Sequence, residues 1–111
     1  MQYAREQDLA YRDGDSGVKY LMRGPRVDWG IILIKPGGVL GGHYHEQVEE
    51  TFYIVQGQGI MVVNGQEHVA TPGDVYRMEP HDRHDIRNDG SAPLKVIFIK
   101  CPYAPDDKVS L

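Results

Sequence analysis

The sequence is poor in cysteine. Cys101 is the only one among 111 residues, so no internal disulfide can form, and an oxidising compartment gains no support. No neighbouring residue marks this thiol as reactive, and we expect it to pack as a small apolar side chain. Met1 to Glu6 carries mixed charge and leads into no apolar stretch, which is unlike a secretory signal. These features predict a cytoplasmic location.

Long apolar runs and an excess of positive charge are absent as well. The apolar stretch from Gly30 to Leu40 falls far short of the roughly 20 residues that a membrane span requires. The 12 basic and 16 acidic residues give a net charge of −4, and the lysines and arginines are scattered. They form no basic stripe of the kind that binds nucleic-acid phosphates. We therefore expect a small-molecule ligand or substrate, with no nucleic acid and no membrane as partner.

Glycine and proline, in contrast, are abundant. The 13 glycines and 7 prolines separate short runs rich in Ile, Val, Tyr and Phe, and segments with a helical period are hard to find. Asn64-Gly65 is typical of a two-residue hairpin turn, in which both central residues need positive φ. Eight strands are predicted, at 18–22, 27–35, 51–56, 59–63, 67–70, 74–78, 84–87 and 94–100. This pattern favours one all-β domain closed as a barrel.

Several side chains that could bind a metal fall on these predicted strands. His43 and His45 are two residues apart, so in an extended strand both imidazoles lie on one face and can reach one ion. Glu50 shares the inward face of the next strand, where a carboxylate needs a partner. His84 begins a later strand and could add a fourth group from across the barrel. By spacing alone, a pair such as His43 and His45 is more often an exposed polar face, so both interpretations stay open.

Two motifs resemble those of the cupin family. Each has a glycine followed at fixed distances by ligand-type residues, and they run Gly37-x5-His43-x-His45-x4-Glu50-x6-Gly57 and Gly73-x10-His84-x3-Asn88. The first is similar to the family motif at every fixed position. The second departs from it in its loop, where Pro80 falls one place late and His81 stands where glycine is usual. We interpret this difference as an altered loop.

The resemblance implies a double-stranded β-helix, or jelly-roll, barrel. Residues 28–100 would form the barrel, residues 1–27 an N-terminal segment packing on it or on a dimer partner, and residues 101–111 a C-terminal extension that is irregular and exposed. Because cupins commonly pair and the N-terminal segment is rich in apolar residues, we expect a homodimer. One divalent transition metal per chain (Fe, Mn, Ni, Co, Cu or Zn) is implied, with the ligands His43, His45, Glu50 and His84. Asn88 would be structural.

For function, the resemblance implies a metal-dependent enzyme acting on a small oxygen-rich molecule, of the dioxygenase, decarboxylase, lyase or sugar isomerase type. The alternative is a non-catalytic metal-binding or small-ligand sensor module, because a fold does not fix a function. We expect the open metal positions to face a pocket walled by Phe52, Ile54 and Ile86. Such a pocket would admit a small anionic or polyhydroxylated ligand.

Neighbouring residues offer alternatives to these ligands. Glu49 is the rival of Glu50, but only Glu50 keeps six residues before Gly57. Strand alternation turns Tyr44 and Tyr53 away from the ligands, so both are expected on the outer face.

Three further polar residues could lie at the pocket. His81 and Arg77 are expected at the surface, although either could face the pocket, as could Tyr76. His68 follows the hairpin turn and is expected to be exposed.

Overall fold

Ten short strands make up nearly all of the regular structure. The computed structural model describes residues 1–111, and its strands are β1 (Gly17–Arg23), β2 (Asp28–Ile34), β3 (His43–Tyr44), β4 (Glu49–Gln56), β5 (Gly59–Val63), β6 (Gln66–Ala70), β7 (Val75–Met78), β8 (His84–Arg87), β9 (Leu94–Cys101) and β10 (Val109–Ser110). The one helical element is a single 3-10 turn at Glu6–Asp8. No helix is long and apolar enough to cross a membrane.

The strands form two five-stranded antiparallel sheets. The first sheet has the order β1-β2-β9-β4-β7 and the second the order β10-β3-β8-β5-β6. This is the all-β jelly-roll that the sequence predicts, and all eight predicted strands are present. The two additional strands, β3 and β10, have only two residues each and pair with one another. Runs this short carry no alternation that a sequence pattern could detect.

The core lies between the inward faces of the two sheets. In β9, for example, Leu94, Val96 and Phe98 point inward and are buried, as alternation requires. The hydrophobic cluster consists of Ile32, Ile34, Phe52, Ile54, Met61, Ala70, Met78, Ile86, Leu94, Val96 and Phe98.

Turn chemistry agrees with the sequence at two positions. Asn64 and Gly65 have φ values of 49° and 83° and join β5 to β6, as predicted for a tight hairpin. Asn88 is fully buried, and its amide donates to the carbonyls of Ile34 and Ala92 while accepting from the N–H of Gly90. Asn88 therefore has the structural role that we expected.

The N-terminal segment contributes to the barrel of its own chain. Strand β1 pairs with β2 at the edge of the first sheet, and Val18 and Tyr20 pack against the core. The Glu6 carboxylate forms an ion pair with Lys95 at 3.0 Å. Since these apolar side chains already have partners within the chain, they no longer argue for a dimer.

Most of residues 102–111 are exposed, and the only regular element among them is β10. They are attached to the barrel, because β10 pairs with β3 and the N–H of Leu111 donates to the carbonyl of Gly42. The expectation for Cys101 is wrong. Cys101 is exposed. It does not pack as an apolar residue, because the alternation of β9 that turns Lys100 inward turns the next side chain outward.

Candidate metal centre

Four buried side chains converge at one end of the barrel. His43 lies on β3, His45 immediately follows it, Glu50 lies on β4 and His84 begins β8. None of the four is more than 4% exposed. The sheet containing β4 thus supplies the carboxylate, and the opposite sheet supplies the imidazoles. One potential ligand atom of each lies within 4.8 Å of the others.

The Glu50 carboxylate stands at the centre of this group. Its Oε1 atom lies 3.0 Å from Nε2 of His45, 3.2 Å from Nε2 of His84 and 3.5 Å from Nε2 of His43. The imidazole rings of His43 and His84 are close neighbours, with centroids 4.3 Å apart. All three imidazoles therefore present the same nitrogen to one point.

Backbone carbonyls determine that each imidazole directs Nε2, and not Nδ1, toward Glu50. Nδ1 of His43 lies 2.9 Å from the carbonyl oxygen of Gly41, and Nδ1 of His84 lies 2.8 Å from that of Asp82. Nδ1 of His45 likewise contacts the carbonyl oxygen of Asp107. A carbonyl can only accept, so each neutral imidazole carries its hydrogen on Nδ1 and keeps a lone pair on Nε2.

The resulting donor set fits a divalent metal. The Nε2 lone pairs of the imidazoles and the carboxylate of Glu50 are all electron donors directed at the same small volume. Without a cation or additional protons they would repel one another. Mixed imidazole and carboxylate ligation suits several transition metals, so the donor set does not select one.

The charge state of the cluster also favours a cation. Burial raises the pKa of Glu50, but the contacts of its carboxylate with the imidazoles of His43, His45 and His84 outweigh burial and hold this pKa well below its ordinary value, with a contribution from the charge of Lys100. Burial lowers the pKa of His45, yet the Glu50 carboxylate and the Asp107 carbonyl raise it overall. Ionisation of the buried Glu50 carboxylate is thus favoured.

Strand alternation separates the two adjacent glutamates as the motif spacing predicts. Glu50 points inward and is 2% exposed. Glu49 points outward, where its carboxylate lies 3.4 Å from Nε of Arg77. The structure therefore brings Glu50, not Glu49, to the histidines.

The other candidates lie away from the cluster. The Arg77 side chain is 61% exposed and pairs with Glu79 at 2.9 Å. His68 and His81 are exposed, as expected. Tyr76 is half-buried and packs against the hydrophobic core. None of these residues lines the cavity beside the cluster.

Outward orientation is also observed for the two tyrosines. Tyr53 is 44% exposed. Tyr44 is half-buried, and its ring lies beside that of His81, with centroids 6.1 Å apart. Neither tyrosine lines the cavity.

A cavity of about 120 Å³ adjoins His43 and Glu50. Our prediction of its walls is wrong, because Phe52, Ile54 and Ile86 are fully buried in the core. The cavity opens instead toward β1, β2, β9 and the C-terminal tail, and its lining includes Val18, Tyr20, Ile32, Leu40, Phe98 and Lys100. A larger depression of about 330 Å³ lies beside Gly59 and Asp89 and contains none of the four converging residues.

Asp107 supports the centre, and the sequence analysis missed it. Its carboxylate accepts hydrogen bonds of 2.8–2.9 Å from the N–H groups of Glu46, Gln47 and Val48, in the turn between His45 and Glu50. Burial raises the pKa of Asp107, but these backbone hydrogen bonds lower it overall. No local pattern marks this residue, because its partners are about 60 positions away in the chain.

Comparison with known proteins supports the same fold. A family model described as a cupin domain matches residues 30–100. A relative from Methanocaldococcus jannaschii, an uncharacterized protein, is 35% identical over 57% of this chain and 49% of its own length. An oxalate-binding protein of Thermotoga maritima is 32% identical over 61% of this chain and 56% of its own length. The chain thus spans about half the length of these curated relatives.

A solved structure matches nearly the whole chain. It is a conserved protein with a double-stranded β-helix domain from Klebsiella pneumoniae, with a TM-score of 0.84 and 15% identity, and the match covers 99% of this chain and 96% of that one. At 15% identity, this match shows a shared fold alone.

Proposed function

Because this chain belongs to the cupin family, we propose that it binds one divalent transition metal and uses it to bind and transform a small oxygen-rich molecule. The proposed ligands are His43, His45, Glu50 and His84. The observation that carries the proposal is the convergence of four buried ligand groups, in which each imidazole directs Nε2 inward because its Nδ1 faces a backbone carbonyl. Such a metal, when bound, would polarise an oxygen of the substrate or lower the pKa of a coordinated water.

The residues around the cavity support a catalytic role. The cavity adjoins two of the proposed ligands, His43 and Glu50, so a small molecule in the cavity would lie beside a metal held by these residues. Tyr20 and Lys100 also line this cavity, so groups able to hold or move a proton lie beside the proposed ligands. The small volume limits the substrate to a molecule well below the roughly 300 Å³ of drug-sized sites.

A non-catalytic binding module is the second candidate. It is favoured by the surface positions of His81 and Arg77, because the cavity then lacks the imidazole of His81 for proton transfer and the guanidinium of Arg77 for binding an anion. A screen of small acids, sugars and diketones would separate the two functions. An enzyme would give both metal-dependent thermal shifts and product, whereas a binding module would give shifts alone.

Metal retention should depend on pH. We expect one metal per chain near pH 8, measured by elemental analysis after gel filtration. Because an imidazole must be neutral to act as a ligand, the metal should be released as the pH falls through about 6.5, the ordinary histidine value, and below it. Full retention at pH 4 would contradict histidine ligation.

We also propose that the protein forms a homodimer through the outward face of the first sheet. Tyr53, Val55, Val75 and Ile99 are each at least 38% exposed on this face, and Tyr53 lies directly opposite Val75. An exposed apolar patch favours association, and twofold pairing covers the same patch on both copies. Sedimentation equilibrium at micromolar concentration should give a dimer mass, and Tyr53→Glu should reduce it. A monomeric mass for the unmodified chain would refute this pairing.

A further inference from the structure

Lys100 is a cation that the strand alternation turns toward the metal end of the barrel. It follows Leu94, Val96 and Phe98 on the inward face of β9 and lines the cavity beside His43 and Glu50. The register places it between Asp28 on β2 and Glu50 on β4. An inward lysine in this position would ordinarily pair with one of these carboxylates.

Both neighbouring carboxylates are engaged by other residues. Asp28 is buried and forms a two-pronged ion pair with Arg23, with N···O distances of 3.1 and 3.0 Å. Glu50 faces the three imidazoles. Lys100 has no ion pair within 4.0 Å, and its single side-chain hydrogen bond is donated to the hydroxyl of Tyr20 at 3.1 Å. Most of its donor capacity is thus free to face the cavity.

Tyr20 is held in place beside it. Its ring packs edge-on against Phe98, with centroids 5.4 Å apart, and the Arg23 guanidinium lies 3.8 Å from its centroid on the face of the ring. Since its oxygen accepts from Lys100, its own hydrogen can be donated to a ligand.

We infer that Lys100 and Tyr20 form an anion-binding subsite for a second acidic group of the ligand, whose first acidic group binds the metal. This inference rests on the proposed function. A divalent metal with one carboxylate ligand has a net charge of about +1, and Lys100 adds a second positive charge on the inward face of β9. Arg12, Lys108 and Asp107 also line the cavity, and together they leave its charge positive. A small dicarboxylate neutralises more of this charge than a monocarboxylate does. The ligand class is therefore a small dicarboxylate.

Malonate and propionate form a matched pair of probes, because they have the same number of carbons and differ by one carboxylate. Binding to the metal-loaded protein would be measured by titration calorimetry, after metal content has been determined for each variant. For Lys100→Met, we expect a full complement of metal, a rise in the malonate Kd of at least about tenfold, or about 1.4 kcal/mol, and a much smaller change for propionate. Tyr20→Phe should raise the malonate Kd by about threefold.

Two variants serve as controls. Lys35→Met removes the same charge at the far end of the barrel, where Lys35 pairs with Asp15 at the surface, and it should leave malonate binding unchanged. Lys100→Arg keeps the positive charge and should retain most of the malonate affinity. A purely structural role for Lys100 does not predict this retention. It also provides a folded comparison if Lys100→Met is unstable.

Unchanged malonate affinity in Lys100→Met, or an equal loss for malonate and propionate, would overturn the subsite. An unmodified protein that binds no metal would refute the proposed function alone. In that case the subsite is tested by measuring malonate binding to the metal-free proteins. Weaker malonate binding in Lys100→Met than in the unmodified chain then supports it, and equal binding overturns it.

Discussion

Replacing His84 by alanine is expected to weaken metal binding by more than about a hundredfold, since even groups that only orient a ligand commonly contribute 10–100-fold. The side chain of His84 is fully buried, its Nδ1 is committed to the carbonyl of Asp82, and its Nε2 lies 3.2 Å from Glu50. No neighbouring side chain can take its place, because Phe52 packs against the ring. Competition with a metal chelator would measure the change.

His68→Ala is the matched control for this experiment. His68 is an exposed histidine on β6, so its removal should leave metal affinity unchanged. A thermal melt of the metal-free proteins would establish that His84→Ala still folds. Stoichiometric metal at the unmodified affinity in the double variant His43→Ala/His45→Ala would refute the ligand assignment altogether.

Asp107→Ala is expected to lower metal affinity by about 10–100-fold without removing any ligand. The carboxylate of Asp107 holds the turn between His45 and Glu50 through backbone N–H groups, and its carbonyl accepts from Nδ1 of His45. Alanine keeps this carbonyl but removes the carboxylate, so the turn loses its three hydrogen bonds and holds His45 and Glu50 less firmly in position. We also expect a loss of stability of about 2 kcal/mol, because the N–H groups lose a charged acceptor.

Asp106→Ala provides the comparison for this substitution, because the neighbouring Asp106 is exposed and its side chain makes no hydrogen bond or ion pair. Asp107→Asn should fall between Asp107→Ala and the unmodified protein, since an amide oxygen can still accept from part of the turn. Calorimetric metal titrations and thermal melts of the three variants would measure these effects. Equal metal affinity in all of them would show that the tail does not position the ligands.

Local patterns were sufficient to predict most of the fold. Alternating apolar residues and Gly/Pro turns identify the eight longer strands, and the positive φ required by Asn64-Gly65 identifies the hairpin. Strands β3 and β10 could not be predicted, because each has two residues and is stabilised by pairing between segments more than 60 residues apart. Such pairing is a property of the closed barrel and has no local signature.

The candidate site shows the same division. The spacing of the first motif correctly favours Glu50 over Glu49 as the glutamate beside the histidines. Inward orientation of Lys100 could have been deduced from the alternation of β9, had the pattern been followed to the end of the strand. The walls of the cavity could not be deduced from the sequence, because they depend on how β1 and the C-terminal tail close over one end of the barrel. The role of Asp107 could not be deduced either, because this residue lies in that tail.

The distribution of the four converging residues over two sheets has a dynamic consequence. Any fluctuation that parts the sheets at this end must also separate Glu50, on one sheet, from His43 and His84, on the other. Breathing of the barrel and dispersal of the cluster are therefore a single event. An ion held there would slow this opening, and amide protons of β3 and β8 would exchange with solvent more slowly as its occupancy rose.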